Sequence, residues 1–283
     1  MTIDLNDTEI AEAASQICKV GKRLDERRFA AANDGNISIR LTGDRILCTP
    51  TMHSKGDMEP QDLCLVDLQG EQISGQKRRS SEVKLHLEVY RQRPDVNSVV
   101  HCHPPHATAF AVAREPIPQC VLPEVEIFLG EVPIAAYQTP GSPAFSQSIL
   151  PFVKDCNVIV LANHGTVSFG TTCQLAFWYT DILDAYCRVL MLAKQLGGLN
   201  YLSDKDCGEL LEYKQEWGYS DLRIYGEDAG CNVCGHQAFR NTWETAGARP
   251  RAFPKSQVNE AKFTDAEMDE LAERIASRLK SNS

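Results

Sequence analysis

Short runs of apolar and β-branched residues alternate with amphipathic segments from residue 7 to about residue 226, and this alternation limits the folds open to the chain. Apolar residues recur at helical spacing over residues 7–30 and again over about residues 172–196. Shorter runs typical of strands lie at residues 36–41, 45–48, 63–68, 96–103, 132–137 and 158–162. Strands that alternate with helices predict the α/β class, with one main sheet covered by helices.

The composition excludes several classes of protein. Among the 283 residues, 43% are hydrophobic and 24% charged, which fits a folded chain rather than a disordered or fibrous one. The net charge of −9 repels nucleic acid and anionic lipid. The N-terminus lacks a signal-peptide pattern, and no stretch approaches the roughly 18 apolar residues of a membrane helix. We therefore expect a cytoplasmic protein with no nucleic-acid or membrane partner.

Eleven cysteines are scattered between Cys18 and Cys234 without the regular, dense spacing of a disulfide scaffold. This distribution favours free thiols in a reducing compartment. Cys231 and Cys234 form a single C-x-x-C pair, whereas a structural zinc site usually has a second pair. A thiol-bearing segment is the preferred interpretation, with a second metal site as the alternative.

The character of the chain changes after residue 226, which predicts three parts. Residues 1–226 contain the alternating strands and helices, residues 227–262 have the composition of a linker, and residues 263–283 are typical of one short amphipathic helix. The apolar stripe of that helix consists of Met268, Leu271, Ala272, Ile275 and Leu279. A short helix after a linker cannot bury such a stripe by itself, so we expect it to dock on another surface.

Three histidines are candidate metal ligands. His101 and His103 are two residues apart on a predicted strand and therefore project from the same face, while Cys102 points the other way. His164 follows the strand-like run 158–162 and precedes Gly165, which allows a sharp turn. Three imidazoles with one open position are typical of catalytic zinc. Taken one at a time, the same histidines are also compatible with ordinary hydrogen-bonded packing.

Ser80, Ser81 and Glu82 open a predicted helix that stops near Pro94. The free N–H groups at a helix start, together with two hydroxyls, suit a phosphate group. The alternative is a plain helix cap. Asp34-Gly35-Asn36 is predicted as a turn, with a ligand loop as the alternative. His86, one turn after Glu82, is expected to pack in the core or to contact the metal ligands rather than the metal.

Together these segments resemble the class II aldolase/adducin family, and within it the branch that cleaves L-fuculose phosphate. The resemblance covers about residues 8–200. Five motifs carry it, in order and spacing: Asn33-Asp-Gly-Asn36-Ile-Ser, Thr49-Pro-Thr51, Ser80-Ser-Glu82, His101-Cys-His103 and Asn163-His-Gly165.

The resemblance implies a three-layer α/β/α domain around a central, mainly antiparallel sheet, usually in a homotetramer. It implies that His101, His103 and His164 hold Zn²⁺ and that Glu82 is the catalytic acid/base. Asn36, Ser80 and Ser81 would bind the substrate phosphate, with backbone amides near Asn33 and Thr51 contributing. The implied reaction is the reversible cleavage of L-fuculose or L-rhamnulose 1-phosphate into dihydroxyacetone phosphate and L-lactaldehyde.

The chain departs from the family pattern at several positions. The family's intersubunit tyrosine, which helps protonate the leaving fragment, falls near Leu122, where no tyrosine matches. The alternatives are that Glu124 or Glu126 substitutes for it or that a different group is the donor. A glycine of the phosphate loop is replaced around Met52. Lys55 is either a charge for the phosphate site or, as the commoner case, an exposed loop lysine.

The sequence leaves two other functions open, and it also leaves open where in the cell the protein is located. A pentulose-phosphate 4-epimerase uses the same scaffold, and an adducin-like domain is a non-catalytic interaction module that lacks the histidines. The helix at residues 263–283 resembles encapsulation peptides, which implies a shell protein of a bacterial microcompartment as partner and the compartment lumen as location. Docking on the chain's own oligomer is the alternative.

Overall fold

An eight-stranded sheet lies at the centre of residues 2–219 and 221, which are the residues that the computed structural model describes. In spatial order the strands are β4-β3-β2-β1-β5-β8-β7-β6, and every neighbouring pair is antiparallel except β6–β7. The strands are β1 Asn36–Leu41, β2 Arg45–Cys48, β3 Cys64–Val66, β4 Gln72–Ser74, β5 Ser98–Cys102, β6 Ile134–Ala135, β7 Val158–Leu161 and β8 Gly165–Gly170. The predicted α/β class and the mainly antiparallel sheet are confirmed.

Helices cover both faces of this sheet. They are α1 Thr8–Glu26, α2 Val83–Gln92, α3 Pro105–Ala113, α4 Pro123–Phe128, α5 Pro143–Gln147, α6 Cys173–Gln195 and α7 Asp204–Glu216. Helices α1 and α6 share one apolar cluster with Val100 and Cys102 of β5, whereas α2 and α5 share another with Val99. Because neighbouring residues of a strand face opposite sides, these clusters form the two interfaces of a three-layer domain.

The two long helices begin where the sequence offers a capping side chain. The Asp7 carboxylate accepts hydrogen bonds from the backbone N–H groups of Glu9 and Ile10, and the Thr172 hydroxyl accepts one from Leu175. Such caps satisfy donors that have no partner inside the helix. Strands β4 and β8 and helices α3, α4, α5 and α7 lie in segments for which no element is predicted above. None of the described helices is long and apolar enough to cross a membrane.

The predicted linker, with Cys231 and Cys234, and the predicted helix at residues 263–283 lie outside the described residues. The boundaries at residues 226 and 262 therefore stay predictions. All nine cysteines of the described part are free thiols, and eight of these are buried.

Strand β5 carries His101, and His103 comes directly after the last residue of this strand, Cys102. Its residues pair with β1 on one side and β8 on the other, so that His101 lies opposite Asn36 and opposite Val167. Cys102 packs in the cluster beneath α1 and α6, which puts the His101 side chain on the other face of the sheet. The turn between β7 and β8 carries His164, and Asn163 there adopts a left-handed backbone with φ 55°.

Replacing Gly165 by alanine is expected to destabilise the protein. An added Cβ would lie 2.5 Å from the Cys102 carbonyl oxygen and 2.5 Å from His103 Cδ2. Overpacking of this kind lowers the free energy of unfolding by about 1–3 kcal/mol, which urea unfolding measures. Gly208→Ala is the matched control: its Cβ meets nothing within 4 Å, and alanine inside α7 is expected to add about 0.5–1 kcal/mol. A Gly165→Ala protein as stable as the wild type would contradict this close approach of β8 to β5.

Candidate active site

Three imidazole rings converge at the end of β5. The ring centroids of His101 and His103 are 5.1 Å apart, those of His101 and His164 4.7 Å, and those of His103 and His164 4.9 Å. One nitrogen from each ring lies within 4.8 Å of the others, which is the spacing of ligands around a single ion. The structure thus brings together the three histidines that the sequence singles out as ligands.

Hydrogen bonds on the far side of two rings set which nitrogen is free. His101 Nδ1 lies 2.8 Å from the Thr166 carbonyl oxygen, and His103 Nδ1 lies 3.2 Å from an Asp34 carboxylate oxygen. Since a carbonyl and a carboxylate only accept, both Nδ1 atoms are assigned as donors, and both Nε2 atoms of the neutral rings are bare. Partners of this kind orient metal-binding histidines.

The converging atoms fit a cation. The bare Nε2 atoms of His101 and His103 are 3.3 Å apart, and Glu82 Oε2 lies 3.3 Å from His101 Nε2. Acceptors at this distance repel one another unless a cation or a proton lies among them. Three nitrogens and one carboxylate suit a divalent transition metal such as zinc.

Burial keeps two of the imidazoles neutral, as metal ligation requires. Desolvation lowers the pKa of His101 well below its ordinary value, and it lowers the pKa of His164 to about 4. The neighbouring His103 ring acts in the same direction on both groups. At neutral pH these two rings therefore offer lone pairs rather than positive charges.

Glu82 is the carboxylate of the site. It lies at the start of α2, with Oε2 2.8 Å from Asn36 Nδ2, which donates to it, and with Oε1 3.8 Å from His164 Nε2. Burial raises the pKa of Glu82, although the hydrogen bond from Asn36 opposes the shift. A carboxyl group with a raised pKa beside a ligand cluster is poised to accept and return a proton.

A polar pocket of about 210 Å³ opens beside the histidines. Its walls are the turn 33–36, the loop 50–52 and residues 80–82, together with His103 and His164. Ser80 and Ser81 line it as the sequence predicts. The Ser80 hydroxyl also accepts from the backbone N–H of Glu82, in the turn before α2. Glu82 is the N-cap of that helix and, among the described residues, no side chain caps it, so the expected capping role of the serines is absent.

Two expected phosphate contacts have other partners in the structure. The backbone N–H of Thr51 donates to the Arg78 carbonyl oxygen, at 2.9 Å, and the Asn36 amide donates to Glu82. Met52 keeps the left-handed backbone that suits a glycine, with φ 55°, and its side chain is 77% exposed at the pocket. A bulky residue in this conformation is uncommon, and here packing does not compensate for it.

The expectation that Lys55 is an exposed loop lysine is wrong. Its side chain is 2% exposed, and Nζ donates to the carbonyl oxygens of Asn33 and His53 at 3.0 Å and 2.5 Å. Burial lowers its pKa to about 8. The lysine is buried because the loop folds down on α1, where Gly21 leaves room for the Lys55 carbonyl.

The substitutes suggested for the missing tyrosine do not line this pocket. Glu126 is buried on α4 and accepts a hydrogen bond from the backbone N–H of Cys120, whereas Glu124 is exposed. His86 is buried, with Nδ1 2.7 Å from the Ser38 hydroxyl, which agrees with the packing role expected for it.

Sequence reasoning missed two partners of the ligands. The sequence predicts Asp34-Gly35-Asn36 as a turn first and a ligand loop second, but it does not single out Asp34 as the partner of His103. No signal marks Thr166, because its carbonyl oxygen reaches His101 only through the register of β5 against β8.

Comparison with curated proteins yields relatives of two activities. An L-fuculose phosphate aldolase from Methanococcus vannielii is 32% identical over 176 residues, which are 62% of this chain and 93% of the relative. A 3-oxo-tetronate 4-phosphate decarboxylase from Pectobacterium atrosepticum is 30% identical over 204 residues, which are 70% of this chain and 92% of the relative.

A solved structure shows the same fold. YgbL from Klebsiella pneumoniae, described as a candidate aldolase, epimerase or decarboxylase, superposes with a TM-score of 0.66 at 30% identity. The match covers 71% of this chain and 98% of that protein.

The family model described as Class II Aldolase and Adducin N-terminal domain matches residues 15–191, a range that includes all three histidines and Glu82. Together with the aldolase relatives, this match makes the protein an enzyme, a lyase. The chain therefore belongs to the class II aldolase and adducin family.

Proposed function

We propose that the protein is a zinc-dependent aldolase that reversibly cleaves a deoxyketose 1-phosphate, L-fuculose or L-rhamnulose 1-phosphate, into dihydroxyacetone phosphate and L-lactaldehyde. The observation that carries the proposal is the convergence of three histidines, two of them held neutral by burial, and the buried carboxyl group of Glu82 beside one polar pocket. A non-catalytic, adducin-like interaction module would not need the three histidines and the buried carboxyl group.

His101, His103 and His164 would hold the zinc ion. When bound, zinc supplies a Lewis acid that stabilises the negative charge left on the ketone oxygen as the carbon–carbon bond breaks. The Thr166 carbonyl and the Asp34 carboxylate fix the orientation of two of the ligand rings.

Glu82 would move the proton at the substrate carbon. Asn36 holds Oε2 by a hydrogen bond, which leaves Oε1 for this transfer. Burial raises the pKa of Glu82, which makes the carboxyl group easier to protonate and suits a group that must both take up and return a proton in a reversible reaction. In the cleavage direction the carboxyl group protonates the carbon of the dihydroxyacetone phosphate half.

Ser80 and Ser81 would bind the phosphate at the start of α2. Hydroxyl donors and the positive end of a helix dipole both favour a dianion there. The Asn36 amide group has a second N–H, which would donate to the phosphate while the first holds Glu82. Binding the remote phosphate aligns the bond that breaks.

A second candidate is decarboxylation of a phosphorylated 3-oxo acid. Aldol cleavage and decarboxylation of a 3-oxo acid both leave negative charge on a ketone oxygen, so the same three histidines and the metal that they would hold suit either reaction. The decarboxylase relative supports the same alternative.

The products decide among the candidates. We expect the zinc-loaded protein to form dihydroxyacetone phosphate from L-fuculose or L-rhamnulose 1-phosphate, detected as NADH loss with a coupled reductase. An epimerase would give no NADH loss, and a decarboxylase would release carbon dioxide from 3-oxo-tetronate 4-phosphate.

The matched pair Glu82→Gln and Glu88→Gln serves as control for this assay. Glu82 lies at the start of α2, whereas Glu88 lies within the helix and forms an ion pair with Arg91. Loss of the acid/base group is expected to lower kcat by about 10²- to 10⁴-fold in Glu82→Gln, with little change in Glu88→Gln. Equal activity of the two variants would remove Glu82 from the proposed chemistry.

Metal binding provides a separate test. We expect about one zinc ion per chain by elemental analysis of the wild-type protein and its loss in His103→Asn, because a three-ligand site tolerates no missing ligand. His53→Asn is the control, since this imidazole contacts Asp62 and Lys77 rather than the other rings. Full zinc content in His103→Asn would place the metal elsewhere.

We also propose that residues 263–283 bind a shell protein and direct the enzyme into a bacterial microcompartment. The apolar stripe supports this proposal, and so does the capping box Thr264-Asp-Ala-Glu267 at the predicted start of the helix. A fluorescent protein fused to residues 255–283 is expected to co-localise with shells in a shell-forming host. The same fusion carrying Leu271→Glu and Ile275→Glu should be diffuse; diffuse signal from the unaltered fusion counts against the proposal.

A further inference from the structure

Lys55 is a buried cation close to the pocket but not part of its lining. Its side chain is 2% exposed, and among the described residues no carboxylate oxygen lies within 4.0 Å of Nζ. A buried charge without an ion-pair partner is costly, so such groups are rare unless they serve a purpose. The packing of Gly21 against the Lys55 backbone fixes where the side chain starts.

The hydrogen bonds of Lys55 join two walls of the pocket. Nζ donates to the carbonyl oxygen of Asn33, which begins the wall 33–36, and to that of His53, which follows the wall 50–52. Both acceptors belong to the backbone, so the ammonium group sets the separation of the two segments. Asp34, the next residue after Asn33, is the partner of His103.

The charge of Lys55 acts on the same pocket. The two carboxylates that interact with it electrostatically are Asp34 and Glu82, and both line the pocket. A phosphate dianion that enters there meets two negative groups. A buried ammonium behind them offsets this repulsion, and low solvent exposure preserves its effect.

We propose that Lys55 is a positioning residue for substrate phosphate. Its ammonium group holds the wall 33–36 next to the loop that contains the wall 50–52, through the carbonyl oxygens of Asn33 and His53. Its charge favours a phosphate monoester beside Asp34 and Glu82. The inference rests on the proposed function only in taking the substrate to be a phosphate ester. It adds a residue that does not touch the reacting atoms.

The test uses full-length, zinc-loaded protein and glycerol 3-phosphate, an unreactive phosphate monoester, with glycerol as the uncharged comparison. Lys55→Met removes charge and donors, Lys55→Gln keeps a donor without charge, and Lys55→Arg keeps both. Lys22→Gln, an exposed lysine of α1 next to Gly21, is the matched control. Calorimetry gives Kd, and the ketose 1-phosphate assay gives KM and kcat.

We expect Lys55→Met and Lys55→Gln to raise the Kd of glycerol 3-phosphate and the KM about tenfold, with kcat changed by less than about threefold. Lys55→Arg should recover most of the affinity, and Lys22→Gln should match the wild type. A folded Lys55→Gln protein with wild-type Kd overturns the inference, and so does a wild-type protein that binds glycerol 3-phosphate no better than glycerol. If Lys55→Met does not fold, Lys55→Gln and Lys55→Arg still decide.

The outcomes separate this inference from the proposed reaction. Lys55-dependent binding of glycerol 3-phosphate in a protein that cleaves no ketose 1-phosphate supports the inference and overturns the reaction. Cleavage of the ketose 1-phosphate with the same KM in the Lys55 variants as in the wild type supports the reaction and overturns the inference.

Discussion

The antiparallel pairing of β5 with β1 and β8 is the constraint on which the site depends. One register places Asn36 beside His101, and the other places the Thr166 carbonyl oxygen where His101 Nδ1 reaches it. A shift of either register by one residue would turn the affected side chains to the other face of the sheet. The sheet therefore fixes both the position of His101 and the nitrogen that this ring presents.

Burial gives the site its chemistry. The same low exposure that keeps His101 and His164 neutral also raises the pKa of Glu82, so ligands and proton carrier arise from one environment. Two serine hydroxyls and the start of α2 in the pocket wall, with the buried Lys55 close to it, provide positive potential. The pocket thus combines a candidate metal site with groups that favour an anion, which suits a phosphorylated substrate that is cleaved at a carbonyl.

Much of the fold and part of the site were predictable because they depend on local periodicity. The alternation of strand-like and helical runs gave the α/β class, and Asp7 and Thr172 mark helix starts that the structure shows. Strand β8 escaped prediction because its sequence, GTVSFG, begins and ends with glycine, a residue that is depleted in strands. Helix α3 is apolar all round, so it shows no amphipathic period.

The sequence by itself predicted that His101 and His103 act as a pair, from the two-residue period of a strand, and the two rings do converge although β5 ends at Cys102. Only the tertiary structure decided that His164 joins them, that Asp34 orients His103, that Lys55 is buried and that Glu126 does not line the pocket. Each of these facts depends on contacts between segments far apart along the chain. Local pattern carries no information on such contacts, because the burial of a loop side chain is set by what packs against it, as α1 does against the loop of Lys55.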